Sequence, residues 1–264
     1  MNDFVASIYS RENDIWGYPQ VYKGVKFHPI LLKDVFYKDI IYSTFGIPKN
    51  HIQDAMILRM SYLKFLLWVA ERGVTNKDNT FENKLKKFLR YCTKEEEIKI
   101  SFKEDITHPI ETERIQLSIH IGDTVFTEHE FDNVREIILE QNGVGIEYVE
   151  AYNGDLEKIL SNQTRNSEIS TSLGDEVFTL CCMLGVPIQA IENYTMHQFQ
   201  SHLRRGVLLA DYYVYRPLEA SGQITLKKGE IKHFLAGLPD MGRYDSILVR
   251  EDIFMQSSTM KAVS

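Results

Sequence analysis

The chain has 264 residues, of which 44% are hydrophobic and 25% are charged, and its formal net charge is −7. These values are typical of a globular protein with a buried core, and they exclude an intrinsically disordered chain. The acidic balance argues against a broad phosphate-binding surface, because nonspecific affinity for nucleic acid comes from clustered Lys and Arg. The most apolar stretch, residues 55–70, is interrupted by Arg59 and Lys64 and is too short for a membrane span. We therefore expect neither a nucleic-acid partner nor a membrane.

The N-terminal part predicts a β-hairpin followed by three helices. Two short strand-like runs flank Lys23 and Gly24, and glycine allows the positive φ that a tight hairpin turn requires. Apolar residues then recur at helical spacing from Leu31, from Asn50 and again over residues 81–91. Residues 55–70 carry apolar side chains on more than one face, so this helix is predicted to be a central core element.

The pattern changes to strict alternation at residues 98–102 and 115–121, which predicts half-buried antiparallel strands. Thr127 and Glu130 then have the spacing of a capping box, in which the Thr side chain and the Glu side chain satisfy amides at the start of a helix. That helix is predicted to end near Asn142 and Gly143. The middle of the chain therefore predicts a small antiparallel sheet followed by a capped helix.

Residues 153–172 are polar and are predicted to link two lobes, an α+β lobe over residues 1–152 and a helical lobe over residues 173–264. Ser172 and Gly185 suit the two ends of a helix, and Thr195 with Gln198 forms a second capping box before a long helix. The tail is expected to fray from about Gln256. The predicted fold class is α+β and mostly helical, with an N-terminal hairpin plus helices, a small antiparallel sheet in the middle and a helical C-terminal lobe.

The sequence lacks the GxSxG elbow, the phosphate loop and the HExxH zinc pair. His197 and His202 are five residues apart, a spacing that puts them on different faces of a helix rather than around one metal ion. Cys92, Cys181 and Cys182 match neither a disulfide framework nor a zinc pattern, and they predict a reducing compartment. We therefore expect a non-enzymatic protein with no catalytic residues, no cofactor and no metal.

Two groups of side chains are candidates for partner contacts. Four basic residues recur in one predicted helix: Lys84, Lys86, Lys87 and Arg90. Such a run marks either a solvated helix face or a site for an anionic partner. The second group lies on the long helix after Thr195 and consists of residue types that protein interfaces favour: Arg204, Arg205, Tyr212 and Tyr215. These four residues are the predicted partner-binding site, although they would equally serve to solvate and close their own lobe.

Three stretches resemble a family of bacteriophage tail morphogenesis or baseplate hub assembly proteins from contractile-tailed phages of Gram-positive hosts. The first is VYKGVKFHPI (21–30) with IPKN (47–50) and MSYLKFL (60–66), and the second is FDNVREIILEQN (131–142). The third joins LGVP (184–187) to YTMHQF (194–199), SG (221–222) and IKH (231–233). The resemblance implies phage tail or baseplate proteins as partners, and the cytoplasm of the infected bacterial host, or the virion, as the location.

Three functions follow as hypotheses. The first is an assembly chaperone for tail or baseplate components, which acts through protein–protein binding. The second is a structural subunit that is retained in the mature virion, and the third is a small phage enzyme or nucleic-acid modulator. Presence of the protein in purified virions separates the first two, whereas a pocket lined by perturbed carboxylates or histidines would favour the third.

Overall fold

The computed structural model describes residues 10–52, 54–72, 80–104, 115–144, 153–156, 158–159, 172–222 and 235. The helices that carry the fold are α1 (Arg11–Trp16), α2 (Tyr37–Ser43), α3 (Ala55–Arg59), α4 (Tyr62–Arg72), α5 (Thr80–Thr93), α6 (Glu128–Gln141), α7 (Leu173–Leu184) and α8 (Met196–Ala220). The strands are β1 (Gln20–Tyr22), β2 (Val25–Phe27), β3 (Ile98–Glu104), β4 (Ile115–Ile121) and β5 (Thr124–Thr127). The prediction of a mostly helical α+β fold is confirmed.

The predicted N-terminal hairpin is present, with β1 antiparallel to β2 and Tyr22 opposite Val25. Lys23 and Gly24 form the turn with φ values of 51° and 84°, and two successive positive φ values match the right-handed twist of the strands. The Lys23 ammonium donates to the Glu130 carboxylate at 2.8 Å. The hairpin is thereby tied to the capping box at the start of α6.

The middle sheet has the order β3-β4-β5, and both pairings are antiparallel. The alternation predicted β3 and β4 but not β5, because Thr127 at the end of β5 also serves as the cap of α6. At the far ends of the first two strands the alternation no longer means burial, since Phe102 is 78% exposed and Ile115 is also exposed. This end of the β3–β4 hairpin extends beyond the core.

A single helix over residues 50–70 with Asn50 as its cap is a prediction that the structure contradicts. Met60 has an extended backbone (φ −70°, ψ 153°), so the segment divides into α3 and α4. The Asp54 side chain accepts from the Met56 amide at 2.8 Å and caps α3. The Tyr62 amide at the start of α4 donates to the Asp132 side chain at 2.8 Å, so α6 supplies the second cap. The buried, central part of the segment is α4.

The described C-terminal residues join the same hydrophobic core as the N-terminal ones. Leu31 pairs with Thr195 in an isolated bridge, and the Met196 amide donates to the Ile30 carbonyl at 3.1 Å. Core side chains from this part of the chain are Val177, Leu180, Cys181, Ile191, Met196 and Phe199. The division into two lobes stays a prediction, because most of residues 153–172 and nearly all of the tail from 223 onward lie outside the described residues. Within the described part of the chain, no helix is both long and apolar enough for a membrane crossing.

Candidate functional site

The long helix α8 is anchored in the core at its first two turns. Thr195 accepts from the Gln198 amide and the Gln198 side chain accepts from the Thr195 amide, which is the predicted capping box. Met196 and Phe199 are buried, and the Gln198 side chain also donates to the Ile15 carbonyl at 2.9 Å. The start of α8 is therefore held on both sides by the N-terminal part of the chain.

The same side of α8 continues past the core as an apolar surface that we call the distal stripe, formed by Val207, Ala210 and Val214. Residues three and four positions apart share a helix face, so the stripe lies in line with Phe199 and Leu203. Val207 is 47% exposed and Val214 is 56% exposed. The 25 residues of α8 span about 37 Å, and the core covers only the first part of that length.

The four predicted partner-binding residues lie in the same distal half. Arg204 and Arg205 are exposed and Tyr215 is 43% exposed, whereas Tyr212 is half-buried. At about 100° per residue, all four lie on the side of the helix that points away from the core-facing side of its first turns. The structure therefore brings these predicted residues to one face, which we call the arginine–tyrosine face and which lies largely on the side of α8 opposite the distal stripe.

Neighbouring side chains already engage part of the arginine–tyrosine face. The Arg216 guanidinium lies 5.7 Å from the centre of the Tyr212 ring and donates to Glu219 at 2.8 Å. Tyr213 also contacts the Tyr212 ring edge-on, with the centroids 6.3 Å apart. Tyr212 is thus held in place by its own helix, while Tyr215 has a larger exposed surface.

Helix α7 adds apolar surface that the sequence analysis missed. Phe178 and Leu184 are exposed, while Val177 and Leu180 on the same helix are buried. The signal was present in the sequence, since residues 177–184 carry more apolar side chains than one buried face needs. A Cβ added at Gly206 of α8 would lie 2.5 Å from the end of the Met183 side chain, so α7 and α8 approach closely there.

The described histidines and cysteines do not form a cluster of metal ligands. A ring nitrogen of His202 lies 2.8 Å from the Gln198 carbonyl, and its ring contacts Tyr194. Cys92 is fully buried, and burial raises the pKa of its thiol. Among the described residues there is no group of three or more His, Cys, Asp or Glu side chains placed to hold a metal ion.

A serine–histidine contact on the sheet is the arrangement closest to a catalytic pair. The Ser101 hydroxyl lies 2.8 Å from His120 Nε2 and 2.8 Å from the Ser118 hydroxyl. A catalytic base also needs a third group that orients it. Glu97 interacts electrostatically with His120, but its carboxylate is bound by Lys99, and that hydrogen bond is the main reason why the pKa of Glu97 is lowered. Ser101, Ser118 and His120 form a polar contact between β3 and β4.

Comparison of the chain with protein-family models, with curated proteins and with solved structures finds no match. The resemblance to phage tail assembly proteins therefore stays a prediction. The functional argument rests on the residues themselves, and the surface that they favour is the distal half of α8.

Proposed function

We propose that this chain is a bacteriophage tail or baseplate assembly protein that acts by binding other proteins through the distal half of α8. The observation that carries the proposal is the distal stripe. Apolar side chains of the face that is core at Phe199 continue in helical register into solvent at Val207 and Val214. A helix that packs only within its own chain is expected to carry polar residues on this face once the core no longer covers it.

The spacing of the stripe matches a known mode of recognition. An amphipathic helix that enters a groove on its partner uses anchors at positions i, i+3 or i+4, and i+7, and 207, 210 and 214 follow that rule. Complete burial of a valine side chain contributes about 1.5 kcal/mol, so covering the exposed parts of Val207 and Val214 would together contribute about 1 to 2 kcal/mol. The stripe is thus an anchor that needs the surrounding polar residues to reach useful affinity.

The arginine–tyrosine face supplies those residues and indicates the chemistry of the partner. Arg204 and Arg205 are exposed on the other side of α8, and interfaces are enriched in Arg and Tyr because these side chains combine a large contact area with a polar end. We infer a partner groove that encloses the distal half of α8, with an apolar wall against the distal stripe and an acidic wall against the arginines. A tail or baseplate protein with such a groove is the proposed binding partner.

The test is co-expression of the tagged chain with the products of neighbouring phage tail genes, followed by affinity capture. We expect capture of a tail or baseplate protein by the parent chain and a loss of at least about fivefold in the Arg205→Glu/Tyr215→Ala variant, because interface Arg and Tyr side chains often contribute more than 1 kcal/mol. The Arg59→Glu/Tyr42→Ala variant is the matched control, since it changes an exposed Arg and an exposed Tyr elsewhere.

Each outcome separates the function from the surface. A folded parent chain that captures no tail or baseplate protein would contradict the assembly function. Capture that both double variants retain equally would keep the function and refute the arginine–tyrosine face. Detection of the chain in purified virions would identify a retained structural subunit, whereas its absence from virions with capture intact is expected of an assembly chaperone.

A further inference from the structure

Three aromatic rings form a continuous stack between the start of α2 and the end of α5. The Phe36 and Tyr37 ring centroids are 4.3 Å apart, and those of Tyr37 and Tyr91 are 4.0 Å apart with nearly parallel planes. The Tyr91 hydroxyl is held by two hydrogen bonds, because it donates to Asp34 at 3.0 Å and accepts from the Leu31 amide at 3.4 Å. The stack is therefore a rigid platform, and its outer member, Phe36, is 53% exposed.

Lysines surround this platform. Lys84, Lys87 and Tyr91 are three and four residues apart and share one flank of α5. The Lys87 ammonium lies 5.7 Å from the centre of the Phe36 ring and 5.8 Å from that of Tyr37. Lys94, just after the helix, lies 4.3 Å from the centre of the Tyr91 ring. Exposed positive charge and exposed aromatic surface are thus combined on one flank.

The acidic group that the structure describes at this flank is Asp34, whose carboxylate accepts from Tyr91. Lys84, Lys87 and Lys94 are all exposed, and none of them forms an ion pair with a described acidic side chain. Lys86, on the opposite flank of α5, is by contrast bound by Glu82 one turn earlier. The basic run in α5 therefore has two different sides, one ion-paired and one combined with aromatic rings.

We propose that this flank binds a short segment of single-stranded nucleic acid. Backbone phosphates would contact Lys84, Lys87 and Lys94, and one base would stack on Phe36. Proteins that bind single strands without sequence preference combine these two features, a basic track and aromatic side chains that accept a base face. A net charge of −7 excludes a broad phosphate-binding surface but not a site of three lysines. This site is separate from α8 and does not depend on the function proposed above.

The charge part is tested by fluorescence anisotropy with a labelled oligothymidylate over a salt series. Three lysine–phosphate contacts on a single strand predict a slope of log affinity against log salt of about −2. We expect Lys84→Glu/Lys87→Glu to lower affinity about tenfold or more. The slope should become shallower, with a magnitude of less than about 1. Lys99→Glu/Lys103→Glu on β3 is the control, because it changes the net charge equally at exposed positions.

The stacking part is tested with Phe36→Ala, which also removes the contact with Tyr37 and should lower stability by about 1 kcal/mol while the chain stays folded. Loss of one stacked base predicts an affinity lower by about fivefold or more with the salt slope unchanged. Equal binding of the oligothymidylate by the two lysine double variants, or no binding by the parent at low salt, would overturn the proposal. Binding of polyglutamate as tight as that of the oligonucleotide, with no effect of Phe36→Ala, would also overturn it and indicate an acidic protein partner.

Discussion

Helix α4 and the distal half of α8 have similar apolar spacing in the sequence but opposite surroundings in the structure. Leu63, Phe65 and Leu66 of α4 are completely buried, whereas Val207 and Val214 of α8 are about half exposed. Periodicity therefore identifies the residues that share a helix face, but not whether another part of the chain covers that face. An apolar face that its own core does not reach is where a partner is expected.

Polar contacts from α6 explain why α4 is covered so completely. Asp132 accepts from the first amide of α4, and the partly buried Lys64 and Glu128 pair at 3.1 Å. Buried Arg135 donates to the Phe45 carbonyl at 2.8 Å and lies 3.9 Å from the centre of the Tyr62 ring. These contacts orient α4 against α6, and the distal stripe of α8 is not fastened to the described residues in this way.

The largest predicted difference between the two regions is in their tolerance of charge. Leu63→Asp should lower the free energy of unfolding by about 4 kcal/mol, because it buries an unpaired carboxylate. Leu67→Asp should cost less, since Leu67 is only partly buried. Val214→Asp on α8 should change stability by no more than about 0.5 kcal/mol. Urea unfolding of the three variants measures these values, and a Val214→Asp cost equal to that of Leu63→Asp would show that the stripe is core.

Removal of one buried hydroxyl of α4 should have an effect of intermediate size. The Tyr62 hydroxyl donates to the Thr44 carbonyl at 2.7 Å and accepts from the Ile47 amide at 3.0 Å. Tyr62→Phe leaves both backbone groups without this partner and should cost about 1 to 3 kcal/mol. Tyr213→Phe on α8 is the control, because that exposed hydroxyl has water available and its loss should be neutral. Equal melting temperatures for the two variants would be the contrary result.

Helix caps test whether α7 and α8 unfold together with the core. Thr127→Ala at α6 and Ser172→Ala at α7 each remove the side-chain acceptor of a capping box and should cost about 1 kcal/mol. If residues 172–222 share one cooperative unit with the N-terminal part, both variants lower the same unfolding transition. A separate early transition that only Ser172→Ala shifts would instead support two lobes. Thr127→Ser retains the acceptor and serves as the control.

The smallest predicted effect concerns pH and the contact between the hairpin and α6. Burial tends to raise the pKa of Glu130, but hydrogen bonds from Lys23 and Thr127 outweigh it and lower that pKa. A lowered pKa means stabilisation that is present above about pH 4.3 and is lost as the pH falls through the folded-state value. The stability difference between the parent and Glu130→Gln should therefore shrink from pH 6 to pH 3. A difference that stays constant over this range would contradict the role assigned to Glu130.

Features set by neighbouring residues were predictable, whereas features set by distant residues were not. The turn at Lys23 and Gly24 and the capping box at Thr195 depend on local spacing, and both are present as predicted. The break at Met60 is accompanied by a helix cap from Asp132, about 70 residues later, and the local sequence marks it only by Ser61, whose hydroxyl accepts from the Lys64 amide.

The candidate surfaces divide in the same way. The arginine–tyrosine face was predictable because helical spacing alone places its four residues together. The exposure of the distal stripe was not, since it depends on where the core ends. The stack of Tyr37 on Tyr91 joins two separate helices. The sequence alone therefore did not show that the lysines of α5 lie beside aromatic rings.

Quantitative capture with Val207→Asp/Val214→Asp tests whether the distal half of α8 contacts a partner. The control is Phe102→Asp/Ile115→Asp, which places the same charge on exposed apolar residues of the β3–β4 hairpin. Both variants should melt like the parent chain. We predict that the α8 variant loses capture of the tail or baseplate protein while the hairpin variant retains it. Retention by the α8 variant, with its fold intact, would contradict such a contact.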